Sequence, residues 1–297
     1  MICYDGLLEK LKENDLTRSQ LTALLGISSR TIAKIGRGEK LSRGVMEKLC
    51  AFFQCPPEAL CRRVSDNPVL QILRNEKEAG ISGGLYHELQ VRLTYNSNHM
   101  EGSRLTENQT RMIFETWTIE GAGIPVNDIA ETANHFRAVD CVIDCAEEPL
   151  SEEIVKRLHF ILKSGAAGSD RFPPGEYKTL PNLVGGRETA APRDVPARMA
   201  ALLKEYNRKS RVDIEDVIAF HAEFEQIHPF QDGNGRAGRL IALKECLRHN
   251  IVPFIIEDAK KAYYYRGLAK WPREKGWLTD TCLDGQDTFR RLLALFD

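Results

Sequence analysis

The sequence predicts an all-α fold in two modules, and three observations indicate it. Apolar residues recur at helical spacing along most of the chain, whereas alternating β-branched runs are almost absent. A length of 297 residues suits about two domains. Residues 1–65 hold 11 basic and 7 acidic residues, so their net charge is +4, while the whole chain has a net charge of −1. We therefore expect a small basic module ahead of a larger acidic body.

The composition excludes several classes of protein. A hydrophobic fraction of 42% fits a globular chain and is too high for a disordered one. Apolar runs are far shorter than the ~18 residues of a membrane span, and the first residues lack the regions of a signal peptide. The eight cysteines include no CxxC pair, which indicates free thiols. We expect a cytoplasmic protein that has no membrane partner.

The first module has the pattern of a helix, a tight turn and a second helix. Thr17 and Gln20 form the signature of a capping box at the start of one helix, and Gly26 can adopt a left-handed turn at its end. Ser28 caps the following helix, which runs from Ser29 to about Ile35. The residues expected to face the core of this module are Leu7, Leu8, Leu11, Leu21, Leu24, Leu25, Ile32, Ile35, Leu49, Phe52 and Phe53.

The string LTRSQLTALLGISSRTIAKIGRGEKLSRGVMEKLCAFFQC resembles the Cro/CI-like (XRE-type) helix-turn-helix family, and the resemblance covers about residues 4–62. The resemblance implies that the helix from Ser29 to Ile35 is the recognition helix and that Ser29, Arg30 and Lys34 face DNA. Arg37 and Lys40 would then lie near phosphates. A helical module that binds protein rather than DNA remains open, because its net charge is small.

A glycine-rich stretch, HPFQDGNGRAGR, lies between two helical patterns. Gly233, Asn234 and Gly235 stand at the start of the second helix, where exposed backbone N–H groups and the helix dipole favour an anion. The spacing of the glycines also satisfies the dinucleotide-binding pattern. That fingerprint follows a β-strand, however, whereas this stretch follows a helix. We therefore interpret the stretch as a phosphate site of another kind.

Four side chains of the same stretch add chemistry to the phosphate site. Arg236 and Arg239 are three residues apart on a helix face, which suits adjacent phosphates. Asp232 alone would repel an anion, so its natural role is to hold a bridging Mg²⁺. His228 is a plausible proton acceptor near neutral pH. A base, a carboxylate that can hold a metal ion, and two arginines that can bind phosphates together predict nucleotidyl or phosphoryl transfer.

The stretch is identified as a Fic (Fido) family motif, because it matches HxFx(D/E)GNGRxxR at every defined position. The resemblance covers about residues 85–285 and implies an all-α Fic fold that transfers AMP from ATP to a hydroxyl group of a target protein. It implies that His228 deprotonates the hydroxyl, that Asp232 holds Mg²⁺ and that the loop from Gly233 to Arg236 forms the anion hole. Arg239 would grip the γ-phosphate. The related Doc subgroup, which phosphorylates, has ANK in place of GNG.

A second element, YNSNHMEG, resembles the Fic inhibitory motif (S/T)xxxE(G/N) through Ser97, Glu101 and Gly102. The spacing places Ser97 and Glu101 on one helix face, and Gly102 ends that helix. The resemblance implies that Glu101 pairs with Arg239 and denies it to the γ-phosphate. The motif precedes the core, which is typical of the class with an N-terminal inhibitory helix.

The segment GEYKTLPNLVGGRETAAP predicts a β-hairpin. In the family, a hairpin at this place is a flap that docks the target by strand addition, and Leu183 and Val184 are the expected edge. Further on, AYYYRGL resembles the family segment near adenine, which makes Tyr264 and Tyr265 candidates for adenosine contacts. The polar residue usual seven positions later is a proline here.

We therefore expect three regions: a helix-turn-helix domain at 1–65, a helical region with the inhibitory motif at 66–145, and a Fic core at 146–297. The predicted function is an auto-inhibited protein adenylyltransferase with ATP, Mg²⁺ and a target protein as partners. DNA and a second copy of the chain are further candidate partners.

Two alternatives stay open: removal of AMP at the same site, with Glu101 positioning water, and a DNA-binding regulator whose Fic body acts as a sensor. His221 is expected in the core rather than on a metal.

Overall fold

The computed structural model describes residues 2–36, 39–63, 66–168 and 170–296. Helices form nearly all of its regular structure, and the strands within these ranges form two short antiparallel pairs. The predicted all-α fold is confirmed, and so is its small hairpin. Residues 1–66 and 67–297 form two separate units. No helix within the described ranges has both the length and the apolar character needed to cross a bilayer.

The first unit is a set of short helices with a strand pair at its two ends. The strands are antiparallel, and Ile2 pairs with Arg63. The first helix packs against the last, and the second against the third. The elements are β1 (Ile2–Cys3), α1 (Asp5–Glu13), α2 (Arg18–Leu25), α3 (Ser29–Gly36), α4 (Arg43–Phe53), α5 (Pro57–Leu60) and β2 (Arg62–Arg63).

The turn between α2 and α3 has the caps that the sequence predicts. The backbone N–H of Gln20 donates to Thr17 Oγ1 at 3.2 Å, and the N–H of Thr17 donates to Gln20 Oε1 at 2.8 Å. Gly26 ends α2 with φ of 60°, in the left-handed region. Ser28 Oγ accepts from the N–H of Thr31 at 3.2 Å, so it caps α3. The predicted helix, turn and helix are therefore present.

Two residues predicted for the core of the first unit lie at its surface. Leu24 is 56% exposed and Phe52 is 39% exposed. Successive helical residues point about 100° apart, so turning Leu25 and Phe53 inward leaves their neighbours facing solvent. The residues buried in this core are Tyr4, Leu7, Leu11, Leu21, Ile27, Ile35, Leu41, Leu49 and Leu60.

Within the described residues, the second unit contains ten α-helices, two short 3₁₀ helices at Pro192–Asp194 and Asp258–Lys260, and one hairpin. Most of its helices line one continuous hydrophobic core. The elements are α6 (Pro68–Ala79), α7 (Leu85–Met100), α8 (Glu107–Thr116), α9 (Val126–Asp144), α10 (Glu152–Lys163), β3 (Leu183–Val184), β4 (Arg187–Glu188), α11 (Val195–Asn207), α12 (Ile214–Ile227), α13 (Asn234–Arg248), α14 (Lys261–Lys270) and α15 (Gly276–Leu293).

Helix α13 is the centre of the second unit. It packs against α12, α10, α9 and α7, and the residues from Asn234 to Leu247 are buried except Gly235. A helix buried on all sides is usually apolar throughout, and buried charges need partners. The charged side chains inside this helix are Arg236, Arg239, Lys244 and Glu245. The first two lie in its first turns, so their partners define the site described below.

The hairpin formed by β3 and β4 lies exposed on the second unit. Leu183 pairs with Glu188 and Val184 with Arg187. Gly185 and Gly186 have φ of 57° and 77°, which a two-residue hairpin turn requires. Both side chains of β3 are exposed. We call residues 180–190 the flap.

The seven cysteines whose side chains the structure describes are free thiols, as predicted. Cys141 and Cys145 are four residues apart at the end of α9. Within the described residues, no group of three or more potential ligands could hold a metal ion.

Replacing Leu158 by alanine should lower the free energy of unfolding by about 3 kcal/mol, because Leu158 is 0% exposed in α10 and its loss leaves a cavity. Phe160 on the same helix is 55% exposed, so Phe160→Ala is the matched control and should cost less than about 1 kcal/mol. Urea unfolding followed by circular dichroism measures both. Equal losses would contradict the assigned core face of α10.

Candidate active site

The site is built on the turn between α12 and α13. Residue His228 ends α12 with φ of 51°, and Gly233 precedes α13 with φ of 76°. Between them, Phe230 is fully buried and anchors the turn in the core. The side chain of Asn234 closes it, because Oδ1 accepts from the N–H of Phe230 at 2.8 Å and Nδ2 donates to the carbonyl of Phe230 at 2.9 Å. The turn is therefore held at both ends.

The imidazole of His228 faces two amides. Its Nδ1 atom lies 3.0 Å from Nδ2 of Asn182 and 3.0 Å from Nδ2 of Asn234. Burial, together with the charge of Lys178, lowers the pKa of His228 to about 4, although the charges of Glu101 and Asp232 oppose this shift. The ring is therefore neutral near pH 7, as a proton acceptor must be.

The first turn of α13 is an anion cradle. The first N–H groups of a helix have no partner within it, and they lie at the positive end of its dipole. The guanidinium of Arg239 adds charge there, because its Nη1 lies only 3.0 Å from where a Cβ of Gly235 would stand. This buried nitrogen has no hydrogen-bond partner among the described residues. The cradle is therefore suited to a phosphate oxygen.

The side chain of Arg239 is bound to the end of α7. Its Nε donates to Ser97 Oγ at 2.9 Å, and its Nη2 donates to the carbonyl of Ser97 at 2.9 Å. Nη2 also lies 2.7 Å from Oε1 of Glu101. A Cβ at position 235 would collide with this carboxylate, so Gly235 is what lets Glu101 approach. Glu101 caps the end of α7, and Gly102 follows it with φ of 99°.

A second set of charges surrounds Arg236. Its Nη1 lies 2.5 Å from Oε2 of Glu131 on α9. Lys163, at the end of α10, contacts the other oxygen of Glu131 and lies 2.6 Å from Oδ2 of Asp232. Arg236 Nη2 is 3.8 Å from the same oxygen of Asp232. Two cations and two carboxylates therefore neutralise each other beside the cradle.

The imidazole of His159 packs against the turn between α12 and α13. Its ring stacks on Phe230 with a centroid distance of 3.7 Å. Its Nδ1 accepts from the N–H of Gly175 at 2.9 Å, so the proton on Nε2 donates to the carbonyl of Asp232 at 2.9 Å. Burial lowers the pKa of His159 to about 4, which keeps the ring neutral.

The residues around Asp232 fit a magnesium ion held jointly with phosphates. The Asp232 side chain is 68% exposed. Although burial alone would raise its pKa, the hydrogen bond and charge of Lys163 lower the pKa and keep the carboxylate ionised. Proteins commonly hold Mg²⁺ through one or two carboxylates plus phosphate oxygens. Since Lys163 occupies Oδ2, the oxygen left for a metal is Oδ1.

A cavity of about 320 Å³ opens beside the turn. Its lining includes Lys163, Asp232, Tyr177 and Lys178. Lys178 is buried, and its ammonium contacts the carbonyl of Ile227 at 3.3 Å, next to the histidine. The cavity therefore links the carboxylate of the turn with the segment that leads to the flap.

The two tyrosines predicted near adenosine differ in exposure. Tyr264 is 0% exposed, and its hydroxyl bonds to His221 Nε2 at 2.7 Å, so it has no surface to offer a ligand. Tyr265 is 37% exposed, and its hydroxyl donates to the carbonyl of Met100 at 3.2 Å. His221 is a core residue, as expected. Only Tyr265 remains a candidate for an adenosine contact.

Several residues of this site were not singled out from the sequence. Glu131 shares a helix face with His135 and Ala138, and Lys163 lies four residues after His159. A charged residue on an otherwise buried helix face was the signal available for both. Lys178 and Asn182 lie in irregular segments with no periodicity, so no such signal existed for them.

The DNA-binding candidates lie on α3 and after it. Ser29 and Arg30 are exposed, and Lys34 is half-buried. Lys40 is exposed, whereas Arg37 lies outside the described residues. The surface of α3 thus presents two of its three candidates fully to solvent.

Two family models match separate parts of the chain. Residues 149–246 match the Fic/DOC family, and residues 7–66 match the Cro/C1-type HTH DNA-binding domain. A protein adenylyltransferase from Caenorhabditis briggsae is 26% identical over 242 residues, which are 74% of this chain and 47% of that protein. The chain therefore spans about half the length of this curated relative.

Solved structures share the fold. A Fic domain containing signaling protein from Bacteroides thetaiotaomicron aligns with a TM-score of 0.63 at 23% identity, over 77% of this chain and 95% of that one. A Fic family protein from Desulfovibrio desulfuricans aligns with a TM-score of 0.59 at 22% identity, over 78% of this chain and 76% of that one. The arrangement of helices is thus that of Fic proteins.

The buried histidines predict how stability depends on pH. Burial lowers their pKa values to between about 3 and about 4, below the unfolded value of about 6.5, so the unfolded chain binds more protons at pH 5. Stability should therefore fall as the pH drops from 6.5 towards 4. The carboxyl of Glu225 acts in the opposite sense, because burial raises its pKa to about 8. The histidines are His135, His159, His221 and His228.

The variant His135→Gln tests this origin, because His135 is fully buried and bonds only to Thr94, at 2.9 Å, among the described residues. Removing one such histidine should lower the slope of unfolding free energy against pH by up to about 1.4 kcal/mol per pH unit between pH 4 and 6. Urea unfolding at several pH values measures the slope. An unchanged slope would show that this histidine does not titrate as its burial requires.

Proposed function

Because the chain carries a Fic/DOC family domain behind a Cro/C1-type helix-turn-helix domain, we propose that it is an auto-inhibited protein adenylyltransferase with a DNA-binding module. One observation carries the proposal: a neutral imidazole, an ionised carboxylate and a helix N-terminus with two arginines converge on one six-residue turn, His228–Gly233. Nucleotidyl transfer needs each of these groups. ATP is the donor, and the acceptor is a hydroxyl group on a protein.

In the proposed reaction, a hydroxyl oxygen of the target attacks the α-phosphorus of ATP. The bond between that phosphorus and the oxygen bridging to the β-phosphate breaks, and pyrophosphate leaves with the electron pair. His228 takes the hydroxyl proton. The N–H groups at the start of α13 bind the phosphate oxygens, and Arg236 and Arg239 balance their charge. The product is AMP joined to the target through a phosphodiester.

Asp232 would hold Mg²⁺ through Oδ1 together with phosphate oxygens. When bound, the ion neutralises phosphate charge and orients the triphosphate. Lys163 and Arg236 neutralise the carboxylate of Asp232. The triphosphate brings the negative charge that makes a divalent ion favourable here, so we expect nucleotide and metal to bind together.

The flap would dock the target. Leu183 and Val184 form an exposed two-residue strand whose outer edge can pair with an extended segment. Backbone hydrogen bonds of that kind select an extended conformation rather than a particular sequence. Tyr265, at the surface beside the end of α7, is the residue we propose for contact with adenosine.

Glu101 would keep the enzyme inactive. Its carboxylate occupies Nη2 of Arg239, which would otherwise bind the γ-phosphate. ATP bound beside this pair lacks the contact that aligns its α-phosphorus. Because Glu101 is 27% exposed at the end of a helix and Gly102 follows it, this carboxylate can move away without disturbing the core.

The variant Glu101→Gly should therefore raise AMP transfer at least about tenfold, since Arg239 becomes free for the triphosphate. Transfer of label from ATP labelled at the α-phosphate, to the chain itself or to proteins of a lysate, measures it, and intact mass spectrometry with ATP, GTP and UTP identifies the donated group. The double variant Glu101→Gly/His228→Ala is the control, which should bind nucleotide but transfer none. Transfer that persists without His228 would refute the assigned base.

DNA binding is the second proposed activity, favoured by the match of residues 7–66 to a DNA-binding domain and by the exposure of Ser29 and Arg30 on α3. Arg30→Ala/Lys34→Ala should weaken DNA binding about tenfold or more, and the salt dependence of binding should become shallower. A mobility shift at low salt measures this, and Arg43→Ala, an exposed cation on α4, is the matched control. Equal loss in both variants would contradict recognition through α3.

A further inference from the structure

We propose that Asn182 of the flap holds His228 in a tautomer that cannot accept a proton, so that the flap restrains the base until a target docks. The inference rests on the proposed function, since it concerns the base of that reaction. It differs from the inhibition by Glu101, which acts on the phosphate site. Asn182 is thus a positioning residue that acts through the ring of His228.

The orientation of the Asn182 amide is fixed by its other partners. Its Oδ1 accepts from the ammonium of Lys178 at 2.8 Å and from the hydroxyl of Thr189 at 2.5 Å. The ammonium can only donate, and the carbonyl of Phe230, 3.3 Å from the NH₂ group of Asn182, can only accept, so the oxygen of the amide must face Lys178. The NH₂ group is therefore the one that faces Nδ1 of His228 at 3.0 Å.

The Asn234 amide is fixed in the same way. Its oxygen accepts from the N–H of Phe230, a group that can only donate, and its NH₂ group donates to the carbonyl of Phe230, a group that can only accept. The same NH₂ group lies 3.0 Å from Nδ1 of His228. Exchanging oxygen and nitrogen in this amide would place its NH₂ group against the N–H of Phe230 and its oxygen against the carbonyl of Phe230, so neither contact could be a hydrogen bond.

Two donors on Nδ1 decide where the proton of the neutral ring sits. Nδ1 must supply the lone pair, so the single proton lies on Nε2. Among the described residues, no group hydrogen-bonds to Nε2, so this is the nitrogen left to a substrate. In this tautomer Nε2 can donate but cannot accept. The charged groups that influence the ring are Lys178, Glu101 and Asp232, and burial keeps the ring neutral, so protonation does not offer another route.

The contacts of Asn182 tie this restraint to the flap. Asn182 directly precedes β3, and Thr189 directly follows β4, so the pair joins the two ends of the hairpin. The hydroxyl of Thr189 also lies 3.1 Å from the carbonyl of Asn182. Lys178 ties the start of the hairpin to the turn between α12 and α13, because its backbone N–H donates to the carbonyl of Pro229 at 2.8 Å. A strand that pairs with Leu183 and Val184 would act on the backbone next to Asn182.

Moving the Asn182 amide away removes one of the two donors on Nδ1. The other donor, the NH₂ group of Asn234, keeps its bond to the carbonyl of Phe230 at 2.9 Å, so it can give up its contact with the ring as the proton transfers through water from Nε2 to Nδ1. No bond other than N–H changes, and the ring stays neutral. Nε2 then carries a lone pair and can accept the hydroxyl proton of the docked target. The flap would thereby couple docking of the target to activation of the base.

Nitrogen-15 NMR of histidine-labelled protein at pH 7 tests the proposal without any need for catalysis. The resonances of His228 are those absent from a His228→Ala sample. We expect the wild-type ring to carry its proton on Nε2. A proton on Nδ1 in the wild type would overturn the proposal, whatever the activity of the enzyme.

The variant Asn182→Asp extends the test. One carboxylate oxygen can keep the contacts to Lys178 and Thr189, and the other accepts from Nδ1–H, so the ring proton should move to Nδ1. In the Glu101→Gly background, transfer should rise about tenfold, within the ~10²–10⁴-fold that a correctly protonated base contributes. The matched variant Asn182→Ala removes the donor but supplies no acceptor, so its rise should be smaller.

The outcomes separate this proposal from the proposed function. If the Glu101→Gly parent transfers AMP and Asn182→Asp moves the proton without raising transfer, the restraint on the base is refuted. If the parent transfers nothing, the proposed function fails, and the tautomer of the wild-type ring still tests the flap contact. Should Asn182→Asp fail to fold, the wild-type spectrum and Asn182→Ala decide the matter.

Discussion

A buried guanidinium is the constraint on which the site depends. Arg239 lies in the central helix of the second unit and is only 5% exposed. An unpaired charge at that depth costs several kcal/mol, so the fold must supply an anion or hydrogen-bond acceptors. Ser97 and Glu101 supply both from the end of α7. The same need for an anion suits Arg239 to the phosphate role that we propose for it, and it equally suits Arg239 to the carboxylate of Glu101.

Arg236 and Arg239, in the first turns of α13, differ in how firmly their carboxylate partners are held. Glu131, the partner of Arg236, lies within α9, and its side chain is 13% exposed and bound to Lys163 on its other side. It cannot leave without breaking two buried ion pairs. Glu101, the partner of Arg239, is the residue that ends α7, and Gly102 frees the chain after it. Only the second carboxylate is therefore placed to be exchanged for a phosphate.

The sequence predicts those parts of the site that lie along one stretch of chain. The order of residues in the turn was sufficient to expect a histidine, a carboxylate and a phosphate cradle between two helices, because local spacing alone brings them together. The contact between Glu101 and Arg239 joins residues 138 positions apart, and only resemblance to a family made it predictable. Its inhibitory role remains a prediction.

What could not be predicted depends on packing between distant segments. Whether a tyrosine of α14 faces a ligand or the core is decided by which side of that helix meets His221, and the local sequence does not specify it. Leu24 and Phe52 are similar cases, since the adjacent apolar residues, Leu25 and Phe53, pack against the core instead. Asn182 contacts His228, and Lys178 contacts the carbonyl of the neighbouring Ile227, only because their segment packs against a turn that is almost 50 residues away in the sequence.

The two restraints act on opposite halves of one reaction. In the proposed reaction, Glu101 would deny the triphosphate its aligned position, and the contacts of Asn182 would leave His228 without a lone pair on Nε2. Water is always present at a site that is partly open, and a base that is ready before the target arrives would activate water and waste ATP. A base that becomes competent only when the flap is engaged avoids this loss. An enzyme that modifies proteins rather than hydrolysing nucleotide therefore gains from placing one restraint under the control of each substrate.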